Sequence, residues 1–168
     1  MCVVDEETEF GLGEMVSTLR LPYANAFPKY LKKLTLQKTF VPWEDITTVS
    51  KLPKLEVLKL KIYNCRGTVW ETIEDGFPQL KFLLLDGTDV ALWKTSSDHF
   101  PCLECLVLGN CDSLHSRFCR YNHTLQLIEL NMCKHSVVNS AKQIQQEVGD
   151  NVLDVRVRNP IYPEEEEE

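Results

Sequence analysis

Cysteine and histidine placement raises the first chemical question. Cys102-x-x-Cys105, with Cys111 close behind, has the two-residue gap by which paired thiolates grip a zinc ion. A closed zinc site needs four such ligands, and the chain has no second Cys-x-x-Cys. Cys102 directly follows a proline, and Cys111 has a place in a repeat described below. No metal site is therefore expected. His99, His115, His123 and His135 stand near no serine elbow and at no Cys–His spacing that would make a nucleophile. A Gly-x-x-x-x-Gly-Lys phosphate loop is missing as well, so no nucleotide site, no cofactor and no enzyme activity are expected. What remains is the chemistry of binding.

The elements that must position any binding residues show themselves as a repeat. The pattern Leu-x-x-Leu-x-Leu occurs at Leu31, Leu34, Leu36, then at Leu55, Leu58, Leu60, at Leu80, Leu83, Leu85 and at Leu103, Leu106, Leu108. A fifth copy reads Leu125, Ile128, Leu130, and the first positions are 24, 25, 23 and 22 residues apart. A weaker copy, Val16, Leu19, Leu21, comes before them. Four copies are introduced by an apolar residue and a proline: Phe27-Pro28, Leu52-Pro53, Phe77-Pro78 and Phe100-Pro101. Three residues beyond the last leucine stand Thr39, Tyr63, Thr88, Cys111 and Cys133. Leucine-rich repeats want a small polar group there to bond the backbone at the turn; Tyr63 does not fit. A leucine-rich helix would not show the two-residue step or reset at this period.

This phasing predicts an α/β fold: a leucine-rich-repeat solenoid, or horseshoe, with a parallel sheet on the concave face and irregular or short helical convex connections. The last two leucines of each copy point into the core, and the tryptophans at 43, 70 and 93 anchor the convex side. Residues 45–52 suit a short helix or 3₁₀ turn. Val137, Val138, Ala141, Ile144 and Val148 fall at helical steps ended by Gly149. Leu153, Val155 and Val157 then alternate with Asp154, Arg156 and Arg158 as a charged edge strand. The expected organisation is an irregular acidic segment at 1–15, about five and a half repeats over 16–134, a helix and edge-strand cap at 135–159, and an acidic tail at 160–168.

In that register the concave face carries Lys33, Val57, Phe82, Cys105 and Leu127 before each middle core residue, and Thr35, Lys59, Leu84, Val107 and Glu129 after it. Val57, Phe82, Leu84, Cys105, Val107 and Leu127 make an apolar stripe, either a contact surface or lateral packing between strands. Eight lysines from Lys29 to Lys61 suit an electrostatically steered protein contact or a solvated face. The expected partner-binding residues are Lys33, Lys59, Lys61, Phe82, Leu84, Val107 and Glu129. Leu84→Glu with Val107→Glu is expected to abolish binding and spare the fold.

Bulk properties narrow the setting. The 168 residues carry a net charge of −7, which argues against a nucleic-acid partner. No apolar run approaches the roughly 20 residues of a membrane span, and Met1 to Glu7 do not form a secretory signal. Seven cysteines, an odd number, suit a reduced interior, so the Asn122-His123-Thr124 glycosylation triplet is read as chance.

The phrases Phe27-Pro28-Lys29-Tyr30-Leu31-Lys32-Lys33-Leu34-Thr35-Leu36, Leu52-Pro53-Lys54-Leu55-Glu56-Val57-Leu58-Lys59-Leu60 and Phe77-Pro78-Gln79-Leu80-Lys81-Phe82-Leu83-Leu84-Leu85 closely resemble plant disease-resistance proteins. So do Leu125-Gln126-Leu127-Ile128-Glu129-Leu130 and Ser140-Ala141-Lys142-Gln143-Ile144. The likeness, over roughly Leu19 to Val157, is to the C-terminal leucine-rich repeats of the coiled-coil nucleotide-binding class, in particular the nightshade late-blight-resistance type. It implies a cytoplasmic immune receptor whose repeats restrain a nucleotide switch and help recognise pathogen effectors. The partner would be an effector or the receptor's own nucleotide-binding module. This chain shows no coiled coil or nucleotide-binding module, and Ser116-Arg117-Phe118-Cys119 replaces an Ile-Pro step usual in the family. A fragment is therefore expected, with ATP or ADP binding belonging to the missing module. The alternative is a substrate-recruiting repeat module of a ubiquitin ligase, which would need an F-box-like helix; none is visible before Phe27.

Overall fold

Residues two apart on an extended chain share a face, so each Leu-x-Leu pair can sink into one core while its neighbours face outward. The computed structural model describes residues 20–115 and 123–159. In chain order its elements are β1 (Lys33–Gln37), β2 (Val41–Pro42), a 3₁₀ turn at Trp43–Asp45 leading into α1 (Ile46–Ser50), β3 (Val57–Lys61), β4 (Cys65–Arg66) and β5 (Val69–Glu71). There follow β6 (Phe82–Asp86), β7 (Leu92–Lys94), β8 (Cys105–Gly109), β9 (Leu127–Asn131), α2 (His135–Val148) and β10 (Asp154–Arg158).

Six strands form one parallel sheet in the order β1-β3-β6-β8-β9-β10. Register is one to one. Leu34, Leu58, Leu83, Leu106, Ile128 and Val155 form one inward row, and Leu36, Leu60, Leu85, Leu108, Leu130 and Val157 the next. From β3 to β9 these residues are fully buried, and Leu31, Leu55, Leu80, Leu103 and Leu125 join the same core. The chain is therefore an α/β protein built on a six-stranded parallel sheet.

The connections form a second layer. β2 pairs with β4 and β5 with β7, both in parallel. The indole of Trp70 stacks on Trp43 on one side and Trp93 on the other, at 4.9 Å each. Phe77 and Phe100, from the Phe-Pro steps, stack at 5.0 Å and meet Trp70 edge-on. Proline rings at 28, 53, 78 and 101 face outward. The carbonyl of Pro28, and those of Leu52, Phe77 and Phe100 beside the other three prolines, accept the N–H of the first leucine three residues on.

Strand exits are equally regular. Lys38, Ile62, Gly87, Asn110, Met132 and Asn159 each lie two residues past the last inward residue, and all have positive φ. The chain then buries a small polar or sulfur side chain: Asn64, Thr88, Cys111 and Cys133 are within 4% of full burial. At the second copy this corrects the sequence reading. Tyr63 does not occupy the turn position; Asn64 does. One extra residue is accommodated by left-handed φ at both Ile62 (26°) and Tyr63 (52°), and Tyr63 swings outward.

After β9, α2 buries Val137, Val138 and Ala141, and Gly149 ends it with φ 97°. Gln145 Nε2 donates to Leu153 O at 3.0 Å, tying the helix to the approach of β10. At the other end, Asp45 accepts the backbone N–H of Leu21 at 2.8 Å and pairs with Arg20 at 3.3 Å. Leu21 packs against the core but lies in no strand. The irregular segment expected at 1–15, Val16 and Leu19 of the weak repeat, the Ser116–Cys119 departure and the acidic tail at 160–168 lie outside the described residues.

Candidate functional site

The outward face of the sheet is open to solvent over rows of aligned side chains. The first row is Lys33, Val57, Phe82, Cys105, Leu127 and Asp154; the second is Thr35, Lys59, Leu84, Val107, Glu129 and Arg156. The third is Gln37, Lys61, Asp86, Gly109, Asn131 and Arg158. These rows exist because successive strands pair in one-to-one register, so each row samples one residue from every strand.

The face divides into three zones. Lys33, Lys59 and Lys61 occupy the β1–β3 end and make no ion pair among the described residues. Lys59 Nζ lies 5.9 Å from the centre of the Phe82 ring, near the limit of a cation–π contact. The centre is apolar: Phe82, Leu84, Cys105 and Leu127 are half-buried, with Val107 between Leu84 and Glu129. The β9–β10 end is charged but neutralised internally. Glu129 pairs with Arg158 at 3.6 Å and accepts from Asn131 Nδ2 at 3.2 Å, while Arg156 Nε donates to Asp154 at 2.8 Å.

The structure thus brings Lys59, Phe82, Leu84 and Val107 into direct succession, with Lys33 and Lys61 at their margin. Two expected binding residues change character. Val107 is only 9% exposed, so it forms the floor of the apolar zone. A glutamate placed there would be buried beside Glu129, so the expectation that Val107→Glu spares the fold does not survive the geometry. Glu129 is held by Arg158 and Asn131, which makes it a brace across β9 and β10 before it is a ligand for anything else. Asp154, Arg156 and Arg158 belong to the same face, although only their alternation marked them in sequence.

The cysteines divide by environment. Burial raises the Cys105 thiol above its ordinary range, Glu129 raises it further, and Arg156 opposes both. Burial pushes Cys111 up to about 12, against a hydrogen bond from Thr88 that lowers it. Cys111 Sγ donates to Gly109 O at 3.2 Å, and Cys133 Sγ to Leu108 O at 3.4 Å. These thiols close strand-exit turns. His99 Nδ1 lies 2.7 Å from Thr72 Oγ1. Among the described residues no group of three or more His, Cys, Asp or Glu side chains is placed to hold a metal, and no helix is long and apolar enough to cross a membrane.

The arrangement offers a contact surface: an apolar floor with cations along one side that make no ion pair among the described residues. Compared with known proteins, the chain matches no family model and no curated protein.

Proposed function

We propose that this chain is the leucine-rich-repeat portion of a plant cytoplasmic immune receptor, acting as a protein-binding module and not as an enzyme. Its repeats would stack as a solenoid, each burying leucines against the next, since no single repeat closes a core alone. Its partner would be a pathogen effector or the receptor's own nucleotide-binding module, met on the open sheet face. The observation that carries the reading is the row Lys59, Phe82-flanked Leu84 and Val107, apolar at the centre and cationic at one end, presented by strands whose sequences carry the resistance-protein phrases. Lysines with no ion pair among the described residues, beside half-buried apolar side chains, suit a partner segment with acidic and apolar residues.

Co-precipitation from plant cells tests this. The full chain is expressed with the coiled-coil and nucleotide-binding modules of a receptor of this class, and separately with effectors. Leu84→Glu and a Lys59→Glu, Lys61→Glu pair should each reduce capture at least about tenfold, one hot-spot contact being worth that much. Equal capture by wild type and both variants would remove the face from the function. Failure of the wild-type chain to capture any of these partners would count against the receptor reading itself.

A further inference from the structure

Because the six strands run parallel, their C-terminal ends share one rim of the sheet. Along that rim the exits of β1, β3, β6 and β8 are tied side by side through their backbones. Lys38 N–H donates to Ile62 O at 2.9 Å, Phe40 N–H to Tyr63 O at 3.1 Å, Ile62 N–H to Asp86 O at 2.7 Å and Gly87 N–H to Gly109 O at 2.9 Å. These exits form one ledge whose two halves are opposite in character. The β1–β3 half is apolar and cationic. Phe40, Ile62 and Tyr63 are 52%, 40% and 55% exposed, and the Phe40 and Tyr63 rings stack at 5.8 Å with planes 7° apart. All three have positive φ, a strain on bulky side chains of the kind that clusters at functional sites. Lys38 and Lys61 stand beside them with no ion pair among the described residues. The β6–β8 half is low and anionic. Gly87 and Asn110 take the positive-φ positions there, and no large apolar side chain is exposed among the described residues of these two exits. Asp89 and Asp112, one residue beyond the buried Thr88 and Cys111, are exposed and also make no ion pair among the described residues.

Such a ledge is complementary to itself. A twofold axis midway between the β3 and β6 exits exchanges β3 with β6 and β1 with β8. We propose that a second copy of this chain docks on the ledge about that axis, as an isologous dimer. The stacked Phe40 and Tyr63 rings of each chain then lie over Gly87 and Asn110 of the other. Lys38 faces Asp112, and Lys61 faces Asp89, each contact being made twice. The spacing agrees. One strand spacing, about 5 Å, separates β3 from β6, and three, about 14 Å, separate β1 from β8. Cations and anions therefore stand at matching distances on either side of the axis. Asp86, nearer the sheet, is already engaged by Asn110 Nδ2 at 2.8 Å. The opposite rim joins neighbouring charges within the chain, Lys32 to Glu56 at 3.1 Å and Lys81 to Glu104 at 3.8 Å. On the ledge, Lys61 and Asp89 belong to adjacent strand exits and are left apart. Self-association goes beyond the proposed function: it needs no foreign partner, shares only Lys61 with the outward face, and leaves Leu84 and Val107 open.

Sedimentation equilibrium of the full chain tests the proposal. The weight-average mass should rise from the monomer value toward twice that value between about 1 and 100 µM, and rise less at high salt. Lys38→Asp sets an aspartate opposite Asp112 at both symmetric contacts, and Asp112→Lys sets a lysine opposite Lys38 at both. Each variant alone should associate at least about tenfold more weakly than wild type. An equimolar mixture of the two should regain wild-type association, because every contact in the mixed dimer again joins a lysine to an aspartate. Both positions are exposed, and aspartate tolerates the φ of 54° at Lys38, so neither change threatens the fold. Leu84→Glu, on the outward face, should dimerise like wild type, which keeps this test separate from that of the proposed function. A wild-type chain still monomeric at about 100 µM, single variants that associate as tightly as wild type, a mixture that stays monomeric, or loss of the dimer in Leu84→Glu would each overturn the proposal.

Discussion

Trp70 and Trp93 occupy paired positions in β5 and β7, and their indole ring centroids lie 4.9 Å apart with planes 9° from parallel. The same Trp70 stacks on Trp43, so one ring joins three successive connections. Its removal would open a void in contact with Trp43, Trp93, Phe77 and Phe100. Trp70→Ala is expected to cost about 3–5 kcal/mol, and Trp70→Phe clearly less. Urea unfolding followed by circular dichroism measures both; a midpoint unmoved by Trp70→Ala would mean that the stack does not hold the layers together.

Asn64 points the opposite way. Its side chain is fully buried, and neither amide atom has a hydrogen-bond partner among the described residues. Its backbone carbonyl, by contrast, accepts from Thr39 Oγ1 at 2.6 Å. An orphaned buried amide costs about 1–3 kcal/mol. Asn64→Thr, the residue found at the equivalent positions 39 and 88, should keep the fold and raise stability by about 1 kcal/mol. A lower thermal midpoint would show that the amide is satisfied in solution.

Cys111 predicts a pH dependence. Its thiol is raised from 9.0 to about 12 in the folded chain, chiefly by burial. The unfolded chain therefore loses this proton first. The contribution of the neutral thiol is complete below about pH 9 and is lost as pH climbs from 9 toward 12, with a slope of at most about 1.4 kcal/mol per pH unit. Cys111→Thr should lack this component, so the wild type should lose stability faster than the variant across that window. Parallel curves would exclude Cys111 as the source.

Leu84 and Val107 are neighbours on one face with opposite tolerance. Leu84 lies across from Lys59, and Val107 across from Glu129. Leu84→Glu places a carboxylate beside a lysine at a half-buried position and should change stability by under about 1 kcal/mol. Val107→Glu buries a carboxylate beside another and should cost about 3 kcal/mol or more, or force its protonation. Comparison of their urea midpoints checks the difference; equal values would mean that Val107 is not the floor of the face.

Much of this protein follows from local pattern. The two-residue step from Leu58 to Leu60 places both on one face wherever the chain is extended, and the same step in five copies aligns Leu58, Leu83, Leu106 and Ile128 in one row. The helical spacing of Val137, Val138 and Ala141, with Gly149 behind it, marked α2 to within two residues of its first turn and at its last residue. The Tyr63 position was illegible for a physical reason. A one-residue insertion changes no hydrophobic period; it is absorbed by two left-handed residues, and only the backbone path reveals that Asn64 takes the inward place.

The outward face marks the same boundary. Sequence alone determined which residues face outward, because side-chain direction alternates along a strand whatever its neighbours are. Whether an outward residue is exposed, braced or unpaired depends on residues far along the chain that stand beside it in each adjacent strand. Leu84 and Glu129 on either side of Val107, Arg158 beside Glu129, and the lack of an ion pair at Lys59 and Lys61 among the described residues are facts of lateral pairing. Pairing across a parallel sheet is set by which strands stand side by side, and only the tertiary structure decided that.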